Sequence, residues 1–432
     1  MKKVLIITYY WPPSGGSGVQ RWLKMSKYLR DFGWEPIIYT AEGGEAPAID
    51  ESLQKDVRPN TTVLKQKIWE PYSFYKKFTG KKKTERMGAG FLSEGKQKKS
   101  RFEDIALWVR GNVFIPDARK FWIKPSIRYL KKYLQENPVD AIVSTGPPHS
   151  MHLIARGIQK KIKIPWIADF RDPWTKIDFY DQLKLSKRAD RKHHKLEKEV
   201  LSNADVSVSV SWQWKEDMIS LGAKKVEVVT NGYDHEDVPN ISMPLSTKFT
   251  ITHIGSMNKD RNPHVLWNVL KELCGEIEGF NDNLTVQFIG KTDFAVFEST
   301  HDAGLSNNLI KVDYMPHNQV FVEMAKSQLL LLAINDTPNV AGVIPGKIFE
   351  YMAVQRPILA IGPPSADSGR IITESKAGDV INFDDAEGMK NSILNSYNAY
   401  LTKGLKIASN NVDKYTRQNL AKKYSEILNE LT

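Results

Sequence analysis

The feature that most restricts this chain is an alternation of short β-rich apolar runs with helical periods, sustained through both halves. In the first half, runs over 4–8, 36–39, 141–144, 166–169, 206–210 and 226–229 predict strands, separated by helices over 19–32, 124–135, 150–161, 183–202 and 213–221. The second half repeats the pattern, with strands over 249–254, 284–289, 329–333 and 358–361 and helices over 265–274, 319–325 and 347–354. Two long helical periods, 386–401 and 416–431, close the chain. Strands apolar on both faces and separated by helices belong in a parallel sheet covered on both sides. At 432 residues the chain is two or three times an ordinary domain, so the expected class is α/β, with two doubly wound domains.

Composition removes other classes. With 41% hydrophobic and 26% charged residues, 27 Gly and 22 Pro, the chain is neither disordered nor collagenous. Apolar stretches such as 329–334 fall far short of the roughly 18 to 20 residues that span a bilayer. Lys2-Lys3 and the apolar run after them imitate a signal peptide. The run ends in Trp11-Pro12-Pro13-Ser14-Gly15-Gly16 rather than a small-residue cleavage site, so it is read as a buried strand. The single cysteine, Cys274, forms no internal disulfide and fits a reducing cytoplasm.

A domain boundary is expected at Thr230-Asn231-Gly232-Tyr233-Asp234, where a strand ends in an Asn-Gly turn. Charge divides there. Residues 1–232 carry 43 Lys+Arg against 26 Asp+Glu, or +17, whereas 233–432 carry 18 against 24, or −6. The excess concentrates in 65–101, with 12 basic and 3 acidic residues, within an insertion expected over about 65–120. Lys76, Lys77, Lys81, Lys82 and Lys83, interleaved with aromatics, make it a candidate surface for an anionic membrane or acceptor. The alternative is a solvated insertion whose lysines only keep it soluble.

Three strand-to-helix turns carry the candidate chemistry. Pro12-Pro13-Ser14-Gly15-Gly16-Ser17-Gly18 lets backbone approach a ligand at a helix start. It is not a dinucleotide fingerprint, because Arg21 stands where the third glycine belongs. The segment from Gly255 to Pro263 offers Lys259 and Arg261 to a phosphate. A third, Pro345-Gly346-Lys347, opens a helix on which Glu350 lies three residues after Lys347. There the cation suits phosphate and the carboxylate suits sugar hydroxyls, unless the two are an ordinary surface pair. Arg171 and Asp172 follow a parallel strand and reach the same edge, or else form an ion pair bracing Trp174. His193-His194 reads as a solvated helix face. No Asp-X-Asp or HExxH motif is present, so no metal is expected.

Taken together, Tyr10 to Gly16, Ser144-Thr145-Gly146-Pro147-Pro148-His149-Ser150, Asp169 to Trp174, Asn231 to Asp234, Gly255 to Pro263 and Pro345 to Ala353 occur in an order that resembles the retaining nucleotide-sugar glycosyltransferases of glycosyltransferase family 4. The similarity is to the branch that builds bacterial surface polysaccharides. The resemblance implies the GT-B fold, two Rossmann-like domains facing across a cleft. Residues 1–232 would lie on the acceptor side, 233–415 would bind the nucleotide sugar, and 416–432 would form a helix packing back toward the first domain. It further implies that Gly15 and Gly16 approach the donor, that Arg261 and Lys347 neutralise its diphosphate, and that Glu350 grips the ribose. His149 would meet the acceptor or transferred sugar, and Asp172 would share that catalytic edge. The first glutamate of the family's paired motif falls at Gly342, a departure at the transferred sugar.

The implied function is sugar transfer, without a cofactor, from a nucleotide-diphosphate sugar to a lipid-linked or glycan acceptor at the cytoplasmic face of the inner membrane. The competing readings are a nucleotide-sugar epimerase of the same fold and a non-catalytic membrane-associated scaffold. A dinucleotide-dependent oxidoreductase lacks its glycine fingerprint, and a nucleic-acid partner lacks a recognition helix or stacking motif.

Overall fold

The computed structural model describes residues 1–70, 101–238, 244–313, 315–402, 405 and 409–432. These fall into two units: one runs up to Asn231 and includes Arg417–Thr432, the other is Gly232–Thr416.

The first unit is built on a seven-stranded parallel sheet. Its order is Thr62–Lys67, Trp34–Glu42, Lys2–Ile7, Ala141–Gly146, Trp166–Phe170, Val206–Ser209 and Val226–Val228. Lys2–Ile7 is central, with Val4 opposite both Pro36 and Ala141. Alternate residues feed two cores. Val4, Ile6 and Val143 meet the helices Ser17–Leu29 and Arg417–Leu431 on one face. Leu5, Ile7 and Ile142 meet Lys120–Glu136 and Ser150–Ile162 on the other. The C-terminal helix is fixed by Tyr424 packing edge-on against Trp22 at 5.0 Å and by Trp34 Nε1 donating to Asn429 Oδ1 at 3.1 Å.

The second unit has a six-stranded parallel sheet, ordered Leu309–Val312, Leu284–Ile289, Phe249–Ile254, Leu329–Ala333, Ile358–Ile361 and Gly378–Ile381. Its core gathers Phe249, Trp267, Phe288, Leu331 and Tyr397. Both expected sheets are present and doubly wound.

Three strands differ from the expectation for a single reason. Thr62–Lys67, Leu309–Val312 and Gly378–Ile381 went unread because each is an edge strand with exposed positions, not a continuous apolar run. The first also corrects the insertion, whose expected start at about 65 lies inside a strand paired with Trp34–Glu42. Residues 101–113 form a helix, Arg101–Val113. Lys76, Lys77, Lys81, Lys82 and Lys83 lie outside the described residues.

Candidate active site

In an open parallel sheet a ligand crevice forms where chain order reverses, outside the carboxyl ends of the strands. In the first unit this point lies between Lys2–Ile7 and Ala141–Gly146, since the chain extends the sheet one way from the first strand and later resumes on its other side. Residues after these strands and after their neighbour Trp166–Phe170 line a cavity of about 390 Å³, among them Tyr10, Gly16, Gly18, His149, Arg171 and Asp172.

Each wall has a local reason. Gly16 precedes the helix Ser17–Leu29 with φ of 95°, a left-handed value that favours glycine. Gly15 is not among the lining residues; its Cα faces Asp50, whose Cβ would stand 3.0 Å from an added methyl. At Gly18 an added methyl would meet Arg171 Nη1 at 2.8 Å, so this glycine makes room for the guanidinium. Arg171 donates to the carbonyl of Pro147 and sits 5.9 Å from the Tyr10 ring centroid, which joins loops following three neighbouring strands.

His149 is buried, with its ring stacked on Trp174 at 4.5 Å and 3°. Among the described residues its Nδ1 has no hydrogen-bond partner. Burial, helped by His152, His193 and Arg171, holds its pKa well below the usual imidazole range, so the ring is neutral. His152, one turn on, is bonded through Nδ1 to Ser144 Oγ at 2.8 Å, a hydroxyl that also accepts from Trp166 Nε1. Burial lowers its pKa to about 3. Burial pushes the Asp172 carboxyl up, against the opposing pull of Arg171. Asp117 caps the Ser150–Ile162 helix by accepting from Ser150 N and Oγ, each at 2.8 Å.

Beneath this floor lies the ion pair that sequence reading did not foresee. Arg21, noted only as a misfit in a glycine pattern, is 1% exposed and donates to both oxygens of Asp169, which is fully buried. Trp22 Nε1 and Thr145 Oγ1 also donate to Asp169, and Arg21 reaches the carbonyls of Val229 and Thr230. The expected solvated pair His193-His194 is corrected in its first member: His193 is 4% exposed and bonds Trp174, while His194 faces solvent beside Asp190. A helix face of mostly charged residues hid one inward position.

The second sheet reverses between Phe249–Ile254 and Leu329–Ala333; of the expected donor residues, Arg261, Lys347 and Glu350 belong to this unit, whereas Gly15 and Gly16 lie in the first. Gly255 has φ of 103°, and Lys347 lies across it: a methyl at Gly255 would be 2.5 Å from Lys347 Cε. Arg261 donates from Nη1 to the carbonyl of Ser256 at 3.0 Å and from Nε to Asn335 Oδ1 at 2.5 Å. The loop after Phe249–Ile254 therefore carries Arg261 and is overlain at Gly255 by the Lys347 side chain. Lys347 and Glu350 open the helix Lys347–Ala353, which Tyr351 ties to the sheet by accepting from Ile254 N at 3.1 Å. His253, unremarked in the sequence, is buried near these cations; burial first, and then their charge, bring its pKa to about 4. Gly342 is buried in a short 3-10 turn and brings no carboxylate. Among the described residues no cluster of three His, Cys, Asp or Glu could hold a metal ion.

Residues 91–237 match the model of the family described as Glycosyltransferase Family 4. No curated protein matches the sequence. Among solved structures, sucrose-phosphate synthase from Thermosynechococcus elongatus is 12% identical, with 100% of this chain and 99% of that one covered and a TM-score of 0.61. HepE of Anabaena, solved in complex with UDP-glucose, is 13% identical with both chains covered in full and a TM-score of 0.60. A mutant of TarM from S. aureus, solved with fondaparinux, α-GlcNAc-glycerol and UDP, is 12% identical, with 99% of this chain and 100% of that one covered and a TM-score of 0.58. At such identities the likeness is one of fold, and that fold is GT-B. Fold and matched segment together define the class as glycosyltransferase.

Proposed function

We propose that this chain is a retaining glycosyltransferase that moves a sugar from a nucleoside-diphosphate sugar to a lipid-linked or polysaccharide acceptor in the synthesis of a bacterial surface glycan. The observation that carries the reading is the approach of Lys347, from the start of its helix, to Gly255 of the loop that also carries Arg261, at the reversal point of the second sheet. Two cations held there suit a leaving diphosphate, whose charge grows as the glycosidic bond breaks. Glu350, one helical turn from Lys347, accepts from the ribose hydroxyls. No metal is needed in this reading, because Arg and Lys supply the positive charge. In the first unit neutral His149 bonds a hydroxyl of the transferred sugar or acceptor, and Asp172 accepts from the attacking hydroxyl. Retention follows from attack on the face the diphosphate leaves. HepE and TarM, solved with UDP-glucose and UDP respectively, make a uridine nucleotide the first donor to try. Among the described residues no helix is long and apolar enough to cross a membrane. The lysines around 76–83 would hold the protein at the inner face of the cell membrane, each contributing about 1 kcal/mol near an anionic surface.

The test is thermal melting with UDP, GDP, ADP, CMP and NAD. A ligand that binds only the folded state at about a hundred times its Kd stabilises by about 2.7 kcal/mol. The expected result is a shift with one nucleoside diphosphate that Glu350→Ala or Arg261→Ala removes. Neutralising Lys81, Lys82 and Lys83 should leave that shift intact and reduce co-sedimentation with anionic vesicles. No shift with any nucleotide would refute the transferase reading and favour the scaffold. Acceptor-independent conversion of the sugar would assign the epimerase instead.

A further inference from the structure

Among the described residues the ring of His149 has no hydrogen bond at Nδ1; its orientation is set by stacking, chiefly on Trp174. The orientation of Trp174 is set in turn. An indole has one polar atom, Nε1–H, and here it donates to His193 Nδ1 at 3.1 Å with both side chains buried. The other nitrogen of His193, Nε2, lies 3.3 Å from the carbonyl of Gly111. Indole N–H can only donate and a carbonyl can only accept, so these two partners fix His193 as the neutral ring with its proton on Nε2. The Tyr180 ring packs edge-on against His193 at 6.0 Å, and Tyr180 itself donates to Asp190. Gly111 is confined as well, since a methyl there would stand 2.6 Å from Leu185 Cδ2.

We infer that His193 is a positioning residue for His149: by pinning the Trp174 indole from the helix Lys187–Asn203, with Gly111 of Arg101–Val113 as its anchor, it sets the plane against which the His149 ring lies in the cavity wall. The proposal rests on the reading of His149 as the substrate-facing group. Its physical basis is that a buried indole N–H without an acceptor is costly, so an unpinned ring turns to find one and carries the stacked imidazole with it.

The experiment reads His149 directly, by the rate of its carbethoxylation with diethyl pyrocarbonate followed by peptide mass spectrometry. Exposed His301 serves as the internal control. His193→Leu removes both bonds, and the His149 rate should rise about threefold to tenfold while the His301 rate holds; the stranded indole N–H should lower the melting temperature by a few degrees and leave the protein folded. His193→Asn, which keeps an acceptor for the indole, should restore the wild-type rate. In the transfer assay His193→Leu should lower kcat about tenfold with the donor KM unchanged, and His193→Asn should recover it. A His149 rate in folded His193→Leu equal to wild type overturns the proposal. Should His193→Leu not fold, Trp174→Phe keeps an aromatic ring but removes the donor, and must then show the same rise; an unchanged rate overturns the proposal equally. Failure of the transferase reading shows separately, as absence of transfer in the wild type with the labelling pattern intact.

Discussion

Removing the Asp169 carboxylate should cost the first unit more than any single change at the cavity surface. Asp169→Ala takes away the partner of Arg21, a guanidinium 1% exposed, and strands the Trp22 and Thr145 donors. Two carbonyls, of Val229 and Thr230, still accept from Arg21, but they carry no compensating charge. Breaking a buried pair in this way costs about 3–5 kcal/mol. At about 2–4 °C per kcal/mol for a domain of this size, the melting temperature should fall by about 6–20 °C. Tryptophan fluorescence during urea unfolding isolates the effect, because Trp267 is the only one of the eleven tryptophans beyond residue 214. The double change Arg21→Met with Asp169→Leu should recover most of the loss, since apolar replacement removes both buried charges together. Acid adds a second signature. Burial alone would raise the Asp169 pKa, but the charge and hydrogen bonds of Arg21 outweigh it and hold the carboxyl below its ordinary value. Its contribution is therefore present above the unfolded carboxylate pKa and lost as pH falls through the folded one. A cost below about 1 kcal/mol, or a double variant no better than either single, would refute the argument for a stabilising buried pair.

Two further outcomes follow from geometry and charge. Gly255→Ala should strain the loop by about 1–2 kcal/mol at its left-handed φ and push Lys347 aside, weakening nucleotide binding about tenfold by calorimetry. Gly304→Ala, also at positive φ but with open space around it, should cost stability and spare affinity. His152 and His253 are neutral in the fold, with pKa values of about 3 and about 4, and each protonates near its ordinary pKa of about 6.5 when unfolded. The unfolded state thus binds more protons below neutrality, and stability should fall by about 2 kcal/mol for each between about pH 7 and about pH 5. Urea midpoints that stay flat across this range would contradict their burial as neutral rings.

The two parallel sheets, and the turns that follow their strands, were legible in the order of the amino acids. Buried parallel strands must be apolar on both faces, so Phe249–Ile254, Leu284–Ile289, Leu329–Ala333 and Ile358–Ile361 announce themselves as short runs without reference to any neighbour. The glycines at 16 and 255 were legible for a similar reason, because local backbone alone demands them. Edge strands escaped notice, having one flank in solvent and no need of apolar alternation. Which polar side chains meet was settled by packing alone. Arg21 and Asp169 are 148 positions apart, and Trp174 and His193 lie on separate elements. A charged or polar side chain looks the same in sequence whether it faces water or a buried partner. Its role is fixed only when the folded chain excludes the water and supplies the partner.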